Sequence, residues 1–192
     1  AHQVEIHYNT NGTQYPEQAE AIWKHFKTVE IAFSIDDLGA RFEYQRSNAH
    51  WHEVCANLDR FRDLKEIHKN IVLQICTTVN VFNVYYIDHV AHWIATNRES
   101  FNFVYWNMLH EPSYFSIASL PNNAKSVIEL HLNTVDVPAE FQLEFKRIID
   151  FMRNGKSTDG QDMLRRMREL DALRGQNLAH VAPELAGIIG YE

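Results

Sequence analysis

The chain has 192 residues and a mass of 22.5 kDa, enough for one domain with a core but short of the roughly 250 residues of a complete eight-fold α/β barrel. Hydrophobic residues at 45% and charged residues at 22% exclude a disordered or fibrous chain. A net charge of −7 offers no general attraction to phosphate backbones or anionic lipid, which disfavours nucleic acid and membrane surfaces as partners.

No apolar run approaches the roughly 20 residues of a membrane span, and no secretory signal opens the chain. Cys55 and Cys76 are the only cysteines, which excludes a disulfide scaffold or a closely spaced thiolate cluster and makes a reducing, cytoplasmic location the expectation. The sequence starts at Ala1, without Met, and runs directly into a strand-like segment. The expectation is that an amino-terminal segment is missing.

Val4 to Tyr8 alternates in type and meets the polar turn Asn9-Thr10-Asn11-Gly12-Thr13, so a strand over 4–8 is expected. Pro16 opens a helix carrying Ala19, Ile22, Trp23 and Phe26 at helical spacing. Residues 29–35 form an almost continuous apolar run, as in a strand covered on both faces. A polar stretch with Arg41 and Arg46 leads to a helix marked by Trp51, Val54, Cys55, Leu58 and Phe61. A third strand follows over 71–79, then a helix with Val84, Ile87, Val90, Ala91 and Ile94, and a fourth strand over 101–109.

This alternation predicts parallel strands joined by right-handed helical crossovers. From about Pro121 the texture is helical, over 124–132, 139–152, 159–173 and 178–189, with turns near Pro138, Gly155 and Gly175. No flexible linker separates these helices, so they are expected to pack on the sheet.

Ligands of parallel α/β folds lie beyond the carboxyl ends of the strands. Here those ends carry Asn9, Thr10 and Asn11, then Ser34 and Asp36, then Thr77, Thr78, Asn80 and Asn83, then Asn107, His110 and Glu111. Any one of these residues reads equally well as a cap or turn former; four consecutive clusters on one edge suit a polar small molecule. His89 and His92 beside Asp88 could face one ion from a helix, but the spacing supplies no third ligand. Arg165-Arg166-Met167-Arg168-Glu169, with Met163, Leu164 and Leu170 interleaved, reads as the solvated face of a packed helix.

The runs Asn9 to Thr13, Phe33 to Gly39 with Phe42 to Arg46, Trp51 to Asn57, and Thr78-Val79-Asn80 with Asn83 resemble the later part of a radical S-adenosylmethionine (SAM) enzyme, and more narrowly the twitch-domain-containing radical SAM proteins. The resemblance covers residues 4–120. It implies a partial, incomplete TIM-like βα barrel over 1–120, followed by a helical carboxyl-terminal extension over 121–192. It also implies SAM and a [4Fe–4S] cluster in the full-length protein, with the Cys-x-x-x-Cys-x-x-Cys cluster loop in the missing segment.

By the same resemblance, Ser34, Asp36, Arg46, Thr78, Asn80 and Asn83 would line the cofactor pocket, with Arg46 approaching the SAM carboxylate. Asn107 and His110 would face an unknown small-molecule or peptide substrate. Asp37 stands where the family more commonly has Gly. The complete form would cleave SAM reductively and abstract hydrogen from its substrate, whereas this chain alone would be inactive. The rival expectation is a non-catalytic α/β binding module whose helical tail docks a partner.

Overall fold

The structure is a computed structural model that describes residues 1–191. Four strands, β1 (Glu5–Thr10), β2 (Thr28–Ser34), β3 (Ile71–Val79) and β4 (Phe103–Met108), form one all-parallel sheet in the order β1-β2-β3-β4. Each neighbouring pair is sequential in the chain, as is usual for consecutive strands joined by helical connections. The expected strands are all present, and their ends move by a few residues.

Register divides the sheet into two unlike faces. Ile6, Val29 and Ile71 are aligned, as are Thr10, Phe33, Ile75 and Val104. Because side chains alternate across a strand, these residues share one face, and there Val29, Ile31, Phe33, Leu73, Ile75 and Val79 are buried. The opposite face carries His7, Glu30, Ser34, Cys76, Thr78, Tyr105 and Asn107, all partly or fully exposed, with Ala32 and Gln74 buried between them. An all-parallel sheet normally has both faces covered, so this polar face distinguishes the fold.

The helices pack on the apolar face. α1 (Ala19–Trp23) follows β1, and α2 (Gly39–Gln45) and α3 (Trp51–Ile67) follow β2. Phe61 of α3 meets Phe33 edge-on at 5.1 Å between ring centroids. Gly12, at φ 77°, lies where a Cβ would come within 2.9 Å of Val54 Cγ1, so the β1–α1 loop can press onto α3 only with glycine. A 3₁₀ turn over Val84–Tyr86 leads into α4 (Ile87–Thr96), whose Ile87, Val90, Ala91 and Ile94 are buried.

The last part of the chain is helical, as its texture predicts: α5 (Asn122–Thr134), α6 (Gln142–Asn154), α7 (Gln161–Arg174), α8 (Leu178–Val181) and α9 (Pro183–Ile189). These helices share one continuous hydrophobic core with the sheet. Phe141 packs edge-on against Trp106 of β4 at 5.4 Å, and Tyr86 Oη donates to Glu184 of α9 at 2.6 Å. Met163, Leu164 and Met167 of α7 are buried while Arg165 pairs with Asp162 and Glu169, which places the charged run on a solvated face.

Three expectations change. The polar stretch before Trp51 contains a helix, α2. The helix after Pro16 is only the five residues of α1, since its chain continues in tighter turns, His25 N to Ile22 O and Phe26 N to Trp23 O. The segment 178–189 is two helices because Pro183, which has no N–H to donate, opens α9. Among the described residues no helix is long and apolar enough to cross a membrane.

Candidate functional site at the strand ends

The carboxyl ends of β2 and β3 are joined through side chains. Asp36, two residues past Ser34, accepts from the backbone N–H of Thr78 at 2.8 Å through Oδ1 and from Arg46 Nη2 at 2.6 Å through Oδ2. Arg46 caps the carboxyl end of α2, and Asp36 draws its guanidinium toward the strand ends. Its Nε is buried without a hydrogen-bond partner.

Asn83 is fully buried. Its Nδ2 donates to the carbonyls of Asp36 at 2.6 Å and Thr78 at 2.9 Å, and its Oδ1 accepts from Asn80 N at 2.9 Å. Asn80 in turn donates to Gln45 Oε1 and to the Thr78 carbonyl, both at 3.1 Å, and accepts from Phe82 N at 2.8 Å. Asn83 is therefore a fastener whose polar groups are used within the protein, while Asn80 links the β3 loop to α2.

Asp37, also fully buried, accepts from Leu38 N at 2.8 Å, Arg41 Nε at 3.0 Å and Gln45 Nε2 at 3.3 Å. Burial pushes its carboxyl up to about 7, against the opposing pull of the Arg41 guanidinium. Where a glycine would only turn the chain, this carboxyl orients Gln45 and holds the start of α2.

These side chains border a cavity of about 300 Å³ lined by Asp36, Gln45, Arg46 and Asn80, by the rings of Tyr44, Phe82 and Phe115, and by Leu109, Leu170 and Arg174. Phe82 lies 4.8 Å from Phe115 and 5.7 Å from Tyr44 between ring centroids, so one side is aromatic. Leu170 and Arg174 come from α7, and the helical region thus closes the cavity.

Of the sequence-derived residues, Asp36, Arg46 and Asn80 line the cavity, and Thr78 and Asn83 hold its border in place. Ser34 stands on the polar sheet face, in register with Cys76, outside the lining. Asn107 pairs in register with Thr78 on that same face, and His110 packs edge-on against Phe151 of α6 at 5.1 Å. Neither reaches the cavity. Gln45, Tyr44, Phe82, Phe115, Leu170 and Arg174 are lining residues that strand-end reasoning misses.

A larger groove, about 640 Å³, runs beside β1 and is lined mainly by apolar groups including Tyr15, Ile22, Trp23 and Phe61. Glu17 is its one charged residue. Its lining holds no cation, and the neighbouring Arg60 lies over the Tyr15 ring and is paired with Glu17, so the groove is the weaker candidate for a polar ligand despite its size.

Cys55 and Cys76 are half-buried, and burial raises both thiols, as expected of unreactive packing residues. His89 Nδ1 lies 3.2 Å from Arg41 Nη2, and His92 Nδ1 lies 2.8 Å from the Asp88 carbonyl. Among the described residues no three His, Cys, Asp or Glu side chains are grouped to hold a metal ion. No family model, curated protein or solved structure matches this chain.

Proposed function

We propose that this chain is the pocket-lining part of a radical SAM-type enzyme, holding SAM at the carboxyl ends of β2 and β3. The observation that carries this reading is the Asp36–Arg46 pair at 2.6 Å on the rim of the strand-end cavity. An Arg fixed by a carboxylate on one side can still offer its remaining N–H groups to a second carboxylate. Asn80 and Gln45 supply amide groups of the kind that bind ribose hydroxyls. Parallel strands in sequence order, with helices on the apolar face and a polar opposite face, are compatible with a partial barrel whose polar face looks inward.

The described residues do not fit a [4Fe–4S] cluster. Such a cluster needs several converging thiolates, whereas Cys55 lies on α3 and Cys76 in β3. In this reading the cluster belongs to another segment, and the role of these residues is to bind and orient the ligand. Arg46 neutralises its carboxylate, Asp36 keeps the guanidinium in place, and the aromatic wall excludes water.

Titration calorimetry with SAM tests the reading. Wild type should bind, and Arg46→Ala should bind about 10- to 150-fold more weakly, the equivalent of roughly 1.5–3 kcal/mol for a hydrogen bond to a charged group. Lys69→Ala, an exposed change in the turn before β3, should leave affinity unaltered. Absence of SAM binding, or equal affinity for wild type and Arg46→Ala, would overturn it.

A further inference from the structure

Arg174 sits in the last turn of α7 and lines the same cavity as Arg46, far from it in the chain; its hydrogen bond goes to the Tyr44 carbonyl at 3.3 Å. Among the described residues it has no carboxylate within ion-pair distance. The charges around the cavity are therefore unequal. Asp36 and Arg46 offset each other, and Arg174 has no paired carboxylate, since Asp171 one turn earlier accepts from Leu178 N and from the Tyr191 hydroxyl. Beside it stand the rings of Tyr44, Phe82 and Phe115.

We propose that Arg174 is a ligand-anchoring residue, and that the cavity takes a small molecule carrying a carboxylate or phosphate next to a planar ring. The proposal rests on the reading of this cavity as a ligand site, and adds to it the chemical class of the ligand and a role for the helical region. A guanidinium donates paired N–H groups to either anion. The aromatic wall accepts a planar group through offset or edge-to-face contacts. A cation without a paired carboxylate favours an anion over its neutral analogue, and the preference weakens as salt is added because Arg174 is exposed.

The experiment uses benzoate, phenyl phosphate and benzyl alcohol as probes, with affinity read from amide chemical shifts during titration of the whole chain. At least one of the two anionic probes should bind, and the one that binds more tightly identifies the anion. Benzyl alcohol should bind at least tenfold more weakly. Arg174→Gln should weaken the anionic probe at least tenfold, and Arg174→Lys, which keeps the charge, should recover part of that loss. Arg174 is exposed on its helix, so both variants should melt like wild type. Neither anion binding, or equal affinity in wild type and Arg174→Gln, would overturn the proposal. SAM binding is measured in parallel: its failure alongside Arg174-dependent anion binding would remove the SAM reading and leave this proposal standing, and the reverse pattern would do the opposite.

Discussion

Asn83 donates to the Asp36 carbonyl at 2.6 Å, and with the Thr77 hydroxyl on the Ile35 carbonyl at 2.8 Å it ties the end of β3 and its loop to the end of β2. The same amide also reaches the Thr78 carbonyl, and its oxygen takes the Asn80 N–H. The side chain thereby fixes the spacing of the two strand ends on which the cavity is built.

Asn83→Ala leaves the Asp36 carbonyl and the Asn80 N–H without their side-chain partner in a buried setting. Each such group costs about 1–3 kcal/mol, so the variant should lose at least about 2 kcal/mol in urea unfolding. Asn83→Asp keeps the acceptor but cannot donate, and should be comparably damaging. A variant as stable as wild type would show that water satisfies these groups and that Asn83 is not the fastener.

Asp37 predicts a pH dependence. Its carboxyl, ordinarily at 3.8, is raised to about 7 by burial, so between these values the folded chain holds a proton that the unfolded chain has released. Its contribution to stability therefore falls as pH rises through that window, by up to about 1.4 kcal/mol per pH unit, and levels off above about pH 7. Asp37→Asn cannot ionise and should remove this slope. Unfolding free energies measured across the window check it; an unchanged slope in the variant would assign the titration elsewhere.

The legibility of the fold in the sequence follows burial. β2 and β3 stand out because their apolar runs are long and sharply bounded, and the helical texture after Pro121 is equally plain. α2 is hidden because Gly39, Arg41, Glu43 and Gln45 dilute its apolar face to Phe42 and Tyr44, the two buried residues of that helix. At the site, Asp36 and Asn80 are visible as strand-end polar residues, whereas Arg46, at the end of α2, is reached only through the family resemblance. Arg174 is not: a basic residue in a last helical turn already has an explanation in the helix dipole, and only tertiary packing brings it to Tyr44. Ser34 and Asn107 alternate onto the polar sheet face, a consequence of register that strand boundaries alone do not reveal.

Gly155 marks where the helical region docks. A Cβ there would fall 2.4 Å from Ala118 Cβ and 2.5 Å from the Ala118 carbonyl oxygen, and the buried Lys125 Nζ donates to the carbonyls of both residues at 2.7 and 2.9 Å. Gly155→Ala should cost about 1–3 kcal/mol by overpacking, lowering the thermal midpoint. Adding Ala118→Gly should restore only part of the loss, since backbone atoms also stand in the way. An unchanged midpoint for Gly155→Ala would show that this contact yields freely.

In the proposed reading a polar ligand binds in the strand-end cavity and not in the larger groove beside β1. Side-chain and backbone nitrogen–proton spectra recorded with S-adenosylhomocysteine, the unreactive analogue of SAM, test it most directly. Shifts should concentrate at Gln45, Arg46 and Asn80, with the Arg46 Nε–H among the most affected. Shifts concentrated at Tyr15, Ile22 and Trp23, or none at a saturating concentration, would contradict it.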